Sequence, residues 1–131
     1  MLIIDRCGNI RITRGDSCSI ATEFYIDSSA DGVQDSDEPI VELTENACVI
    51  FTVRSKDSGI VKIKHVLTED NYENGELVLN LLPEETLLTA AVYEYSFVYV
   101  PDSETLGQAY TYAQGDFEIM HSVSTYKDLE G

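Results

Sequence analysis

Tyr93-Glu94-Tyr95-Ser96-Phe97-Val98-Tyr99-Val100 is the stretch that decides the fold. A ring stands at every second position, which is the period of a β-strand with one buried face. Just upstream, Leu82-Pro83-Glu84-Glu85-Thr86-Leu87 reads as an acidic turn led by proline. Pro83 suits the first position of a short helix over Pro83 to Leu88, and Glu84 and Glu85 suit the positive end of its dipole. Leu87 or Leu88 would plug the end of the core. Such a sequence describes a scaffold rather than a reaction centre.

Working outward, six further runs alternate. Asn9 to Thr13 is the first strand, and Arg14-Gly15-Asp16 turns the chain, with Gly free to take positive φ. Cys18, Ile20, Thr22, Phe24 and Ile26 share one face of a long second strand. Val49, Phe51 and Val53 mark the third. Asp57-Ser58-Gly59 is a tight turn into a fourth strand, Ile60 to Val66, with Val61 and Ile63 on one face. Asn74-Gly75 is another turn signal, and Leu77, Leu79 and Leu81 follow as the fifth strand. After the Tyr93 strand, Tyr110 to Ser122 is a long seventh, in which Gly115 marks a bulge.

Short strands at regular spacing predict an all-β fold. Its form is an immunoglobulin-like antiparallel β-sandwich of about seven strands with one short helical turn. The expected unit is a single domain over residues 1–131, large enough to bury a core without staples. Val49, Phe51, Val53, Leu79, Leu81, Tyr95 and Phe97 are the expected core. Tyr93 is expected to be a corner tyrosine, its hydroxyl bonded back to the backbone just upstream. Lys62 and Lys64 on the fourth strand's outer face indicate an edge guarded by charge.

Composition narrows the function. The chain is 44% hydrophobic, well above a disordered composition. No apolar run approaches the roughly 18 residues of a membrane helix. Met1-Leu2-Ile3-Ile4-Asp5-Arg6 lacks the basic start of a signal peptide, so a protein made and kept in the cytoplasm, or exported without signal-peptide processing, is expected. Cys7, Cys18 and Cys48 show no zinc spacing. A Cys18–Cys48 bridge is open to the sequence, and free thiols are the plainer reading. The net charge of −16 argues against nucleic acid and anionic membranes as partners. Residues 67 to 126 carry no Lys or Arg. That asymmetry fits either steering of a basic partner or a solvated face.

Few motifs carry chemistry. Arg14-Gly15-Asp16 matches the integrin adhesion tripeptide, which recurs by chance, and here it fills a turn between strands. Asp27 to Glu38 fits the spacing of a twelve-residue calcium loop. Asp27, Ser29, Asp31, Asp35 and Glu38 are its candidate ligands, and Gly32 sits where the loop must turn sharply. Calcium needs hard oxygen donors wrapped around it. Against this stand a flanking strand in place of helices, Gln34 at the apolar anchor position, and Pro39 directly after Glu38. A solvated acidic hairpin is the alternative. There is no G-x-S-x-G and no glycine-rich phosphate loop, and His65 and His121 have no motif partner. With 24 acidic residues a catalytic carboxylate pair cannot be argued from abundance. A protein without enzymatic activity is expected.

Taken in order, five segments resemble a known family. They are Ile12-Thr13-Arg14-Gly15-Asp16-Ser17, Val49 to Arg54, Leu79 to Thr86, Tyr93 to Phe97, and Thr111 with Gly115-Asp116-Phe117-Glu118-Ile119. The set is similar to the N-terminal β-sandwich module of upper baseplate proteins in tailed phages and prophages of Gram-positive bacteria. The resemblance runs from about Asn9 to Val123. It implies an immunoglobulin-like, non-catalytic structural protein of the virion that docks to other tail or baseplate proteins, with self-association as a further expectation. The acidic loop is longer than that family's turn. The helical or trimerising extension of the larger baseplate proteins has no counterpart in the sequence. The alternative function is a calcium-stabilised module that binds carbohydrate or another ligand, with Tyr72, Tyr110, Tyr112 and Tyr126 as an exposed aromatic surface.

Overall fold

The computed structural model describes residues 2–4, 8–22, 42–104 and 107–122. Nine strands run through them: β1 Leu2–Ile4, β2 Ile10–Thr13, β3 Cys18–Thr22, β4 Cys48–Arg54, β5 Val61–Leu67, β6 Tyr72–Glu73, β7 Glu76–Leu81, β8 Ala91–Val100 and β9 Tyr110–Met120. They form two sheets, ordered β1-β2-β9-β8-β4-β5 and β3-β7-β6. The seven alternating runs of the sequence are β2, β3, β4, β5, β7, β8 and β9. The fold is the all-β sandwich that their periodicity predicts.

Alternation sorts the side chains. Along β8, Tyr93, Tyr95 and Phe97 point inward while Glu94 stays exposed. Phe51, fully buried on β4, is the hub. Its ring lies 4.9 Å from Phe97, 6.1 Å from Tyr95 and 6.2 Å from Phe117. The small sheet closes over this cluster with Ile20, Leu77, Leu79 and Leu81. All seven expected core residues are buried. The Tyr93 hydroxyl donates to the Thr89 carbonyl at 2.8 Å, the corner expected of it.

Several expectations need correction. Pairing is not wholly antiparallel: β2 runs parallel to β9, with Ile10 beside Phe117 and Thr13 beside Met120. Two strands too short to show a period, β1 and β6, extend the sheets. Residues 83–86 form a turn and no helix. Glu85 N–H donates to the Leu82 carbonyl at 3.0 Å, and the buried Thr86 hydroxyl then donates to the Asp16 carbonyl at 2.7 Å, which draws the chain away before a second helical turn can form. The 3-10 turn lies instead at Glu69–Asn71. There the Thr68 hydroxyl accepts from Asp70 N–H and the Asn71 side chain accepts from Thr68 N–H.

The bulge expected at Gly115 sits elsewhere, and a second, unexpected one lies on β5. Phe97 pairs with Ala113 and Val98 with Thr111, so Tyr112, and not Gly115, is the extra residue of β9. The bulge lets Tyr112 and Ala113 both pack on the core. Gly115 serves a close approach, since a Cβ there would stand 3.0 Å from Asn9 Oδ1. On β5, Val53 pairs with Ile63 and Arg54 with Val61, which makes Lys62 the extra residue. Val61 is thereby turned to solvent, away from the face it was expected to share with Ile63. Cys18 and Cys48 lie on different sheets and are free thiols.

Candidate docking surfaces

The outer face of the large sheet carries an open depression of about 480 Å³, lined by Thr52, Arg54 and Lys56 from β4 and its turn, Glu94 and Ser96 from β8, and Gln114 and Asp116 from β9. Thr52 forms its floor. It points outward yet is buried, because Ser96 and Lys64 flank it across both strand pairs. Lys56 Nζ meets Asp116 Oδ1 at 2.7 Å across the rim. Both side chains are about half exposed, and pairs of this kind stabilise by at most about 1 kcal/mol. Cations on one wall and carboxylates on the other suit a polar surface of mixed charge.

β5 forms one edge of this sheet. Lys62, Lys64 and Val66 are exposed, and Ile63 and Leu67 are buried. The turn at residues 55–60 brings Arg54 back opposite Val61. Arg54, Lys56, Lys62 and Lys64, four of the eight Lys and Arg residues, thus gather at one corner of a strongly acidic chain. Ile60, Val61 and Val66 expose 57%, 44% and 51% of their surface at the same edge. The sequence reading placed Lys62 and Lys64 here. It missed Arg54 and Lys56, whose signal was the turn residues Asp57-Ser58-Gly59 that fold them onto the same corner.

Behind the edge, His65 Nε2 and Glu85 Oε2 are 2.6 Å apart and half-buried. Glu85 Oε1 also accepts from Leu82 N–H at 2.9 Å. This carboxylate ties an edge strand of the large sheet to the turn that follows β7 of the small one. His65 therefore has a structural partner that no motif announced.

The remaining expected sites fare differently. Asp27, Ser29, Asp31, Asp35 and Glu38 lie outside the described residues, as does Tyr126. The other three tyrosines do not make a flat exposed array. Tyr72 is half-buried and its hydroxyl accepts from Leu43 N–H at 3.0 Å. Tyr112 stacks on Phe97 at 5.7 Å and bonds the Thr22 hydroxyl at 2.9 Å. Burial pushes its hydroxyl up to about 12. Only Tyr110 of the three is exposed, stacked on Tyr99 at 6.4 Å.

The Arg14-Gly15-Asp16 turn is latched inward. Arg14 Nε donates to the Leu88 carbonyl at 3.0 Å, Gly15 N–H donates to the Thr86 carbonyl at 3.2 Å, and Gly15 is buried. An adhesion tripeptide must present its arginine and aspartate on an open tip, and this geometry removes that reading.

The architecture is an all-β sandwich: a six-stranded sheet, with β2 beside β9 and with β8 and β4 following, faces a smaller sheet of three strands. No known protein family matches the chain, and no curated protein matches it in sequence.

Proposed function

We propose that this chain is a non-catalytic docking module of a phage or prophage tail, acting inside a larger protein assembly at the baseplate. The observation that carries the reading is the β5 corner. An edge strand with three exposed aliphatic residues and a local cluster of cations has the make-up of a surface that meets another protein. The ordered resemblance of five segments to a baseplate module supports the tail setting. The acidic balance supports partners other than nucleic acid or anionic membrane.

Capture of proteins encoded beside the gene, with light scattering at high concentration, tests this. The expected result is a stable complex with a tail component or concentration-dependent self-association. A strict monomer that captures no neighbour-encoded protein, but binds a glycan saturably, would overturn it in favour of a carbohydrate-binding module.

A further inference from the structure

We propose that the β5 edge is the docking line for an extended acidic segment of a partner protein, which joins the large sheet as an added strand. The proposal rests on the docking reading above and adds the chemistry of the partner.

β5 ends its sheet, and among the described residues nothing pairs with its outer side. Such an edge presents backbone N–H and C=O groups in register for another strand. Its side chains select which strand. On the outward face, Val66 lies across from Ile50, Lys64 from Thr52 and Val61 from Arg54. An added strand would set its own outward residues beside Val66, Lys64 and Val61. The complement is apolar, acidic, apolar at alternate positions, with Lys62 on the bulge available to a further carboxylate.

Charge sharpens the choice. Among the described residues Lys62 and Lys64 enter no ion pair, although the chain holds 24 acidic residues. Antiparallel pairing of β5 with β5 of a second copy, centred on Ile63 or Lys64, would bring lysines against lysines, and like charges directly opposite are destabilising. The same lysines that keep copies apart therefore favour an acidic strand, specificity arising from repulsion as well as attraction. Protection alone would explain the lysines. It would not explain Ile60, Val61 and Val66, since exposed branched aliphatics raise the tendency of an edge to pair.

The test uses the full chain, isotope-labelled, titrated with a capped peptide of about ten residues in which Val and Glu alternate at every second position, with Thr between them, so that one face reads apolar, acidic, apolar. One control peptide has the same composition with the Glu residues clustered, and another has Lys in place of Glu. The alternating peptide should bind, protect β5 amides from hydrogen exchange, and weaken as salt rises. A K62E/K64E double variant, checked for an unchanged melting temperature, should bind it about tenfold more weakly or worse and should accept the Lys peptide instead. No binding at millimolar peptide, binding that leaves β5 amides unprotected, equal binding of the clustered control, or pairing of β5 between two copies would each overturn the proposal. If K62E/K64E still captures the neighbour-encoded protein at full strength, docking stands but uses another surface, and the proposal fails alone. If the wild type captures nothing, the docking reading fails, and the peptide titration decides the chemistry of β5 by itself.

Discussion

Replacing Gly115 by Ala puts two physical effects in opposition. In an ordinary strand the exchange stabilises by roughly 0.5–1 kcal/mol, because Gly loses the most chain freedom on folding. At this position the sign reverses. The new Cβ would stand 3.0 Å from Asn9 Oδ1, 3.2 Å from the Gly8 carbonyl oxygen and 3.3 Å from Tyr95 Cε1. None of the three moves aside easily. Asn9 Oδ1 accepts from Asp116 N–H at 3.1 Å, and the Gly8 carbonyl accepts from the Tyr95 hydroxyl. The Tyr95 ring is packed against Phe51 and Phe97. Overpacking costs about 1–3 kcal/mol. Set against the backbone gain, the net loss is about 0.5–2 kcal/mol. Urea unfolding reads this as a lower midpoint at unchanged slope. Repeating the exchange in an Asn9→Ala background removes the nearest obstructing atom, so the loss should shrink, and the difference is the coupling energy. A higher midpoint for Gly115→Ala, or an equal loss in both backgrounds, refutes the reasoning.

Truncating the central ring, Phe51→Ala, should cost about 3–5 kcal/mol, and a chemical melt showing less than about 1 would contradict its place at the hub. Thr86→Val keeps the volume but removes the donor to the Asp16 carbonyl, so a loss of about 1–3 kcal/mol is expected, with Thr86→Ser milder. Burial pushes the Cys18 thiol from 9.0 to about 11 and the Tyr112 hydroxyl from 10.0 to about 12, so the folded state holds both protons more tightly. Their contribution to stability is complete below pH 9 and is lost as pH rises toward about 12. Urea midpoints should fall over that range, less steeply in a Cys18→Ala/Tyr112→Phe variant. A calcium ion held by Asp27, Ser29, Asp31, Asp35 and Glu38 would add about 2.7 kcal/mol at a hundred times its dissociation constant. Melting in chelator and in millimolar calcium measures it, and an equal shift in Glu38→Gln assigns the effect elsewhere.

The strands were legible where one face is buried along a run of residues. Tyr93, Tyr95 and Phe97 on β8, and Leu77, Leu79 and Leu81 on β7, each write their period openly. β6 has two residues and β1 three, too few for any period to emerge. The β9 bulge does not fall at Gly115, conspicuous as that residue is. The true signal was the adjacent pair Tyr112-Ala113, both packed on the core, which breaks strict alternation. At Pro83 the expected turn forms but the helix over Pro83 to Leu88 does not, and the bond from Leu82 N–H to Glu85 Oε1 was not signalled by the sequence. What stopped the helix is a hydroxyl bond to Asp16, seventy residues away in sequence and absent from any local pattern. The cationic corner at β5 was half visible for the same reason. Lys62 and Lys64 are local to one strand, whereas Arg54 and Lys56 join them only through the hairpin.

The parallel pairing of β2 with β9 also fixes how the molecule meets mechanical load. Tension applied between the two ends of the chain first peels the three residues of β1 away from β2. It then draws β2 toward its N-terminal end and β9 toward its C-terminal end. Because the two strands run in the same direction, these pulls are opposed along a shared axis. The ladder from Ile10–Phe117 to Thr13–Met120 is strained in shear, with its hydrogen bonds loaded together rather than opened one by one. Forced unfolding is governed by the rate of crossing that barrier, not by equilibrium stability. Tension along the chain would therefore fall first, after β1, on the four-residue seam between β2 and β9.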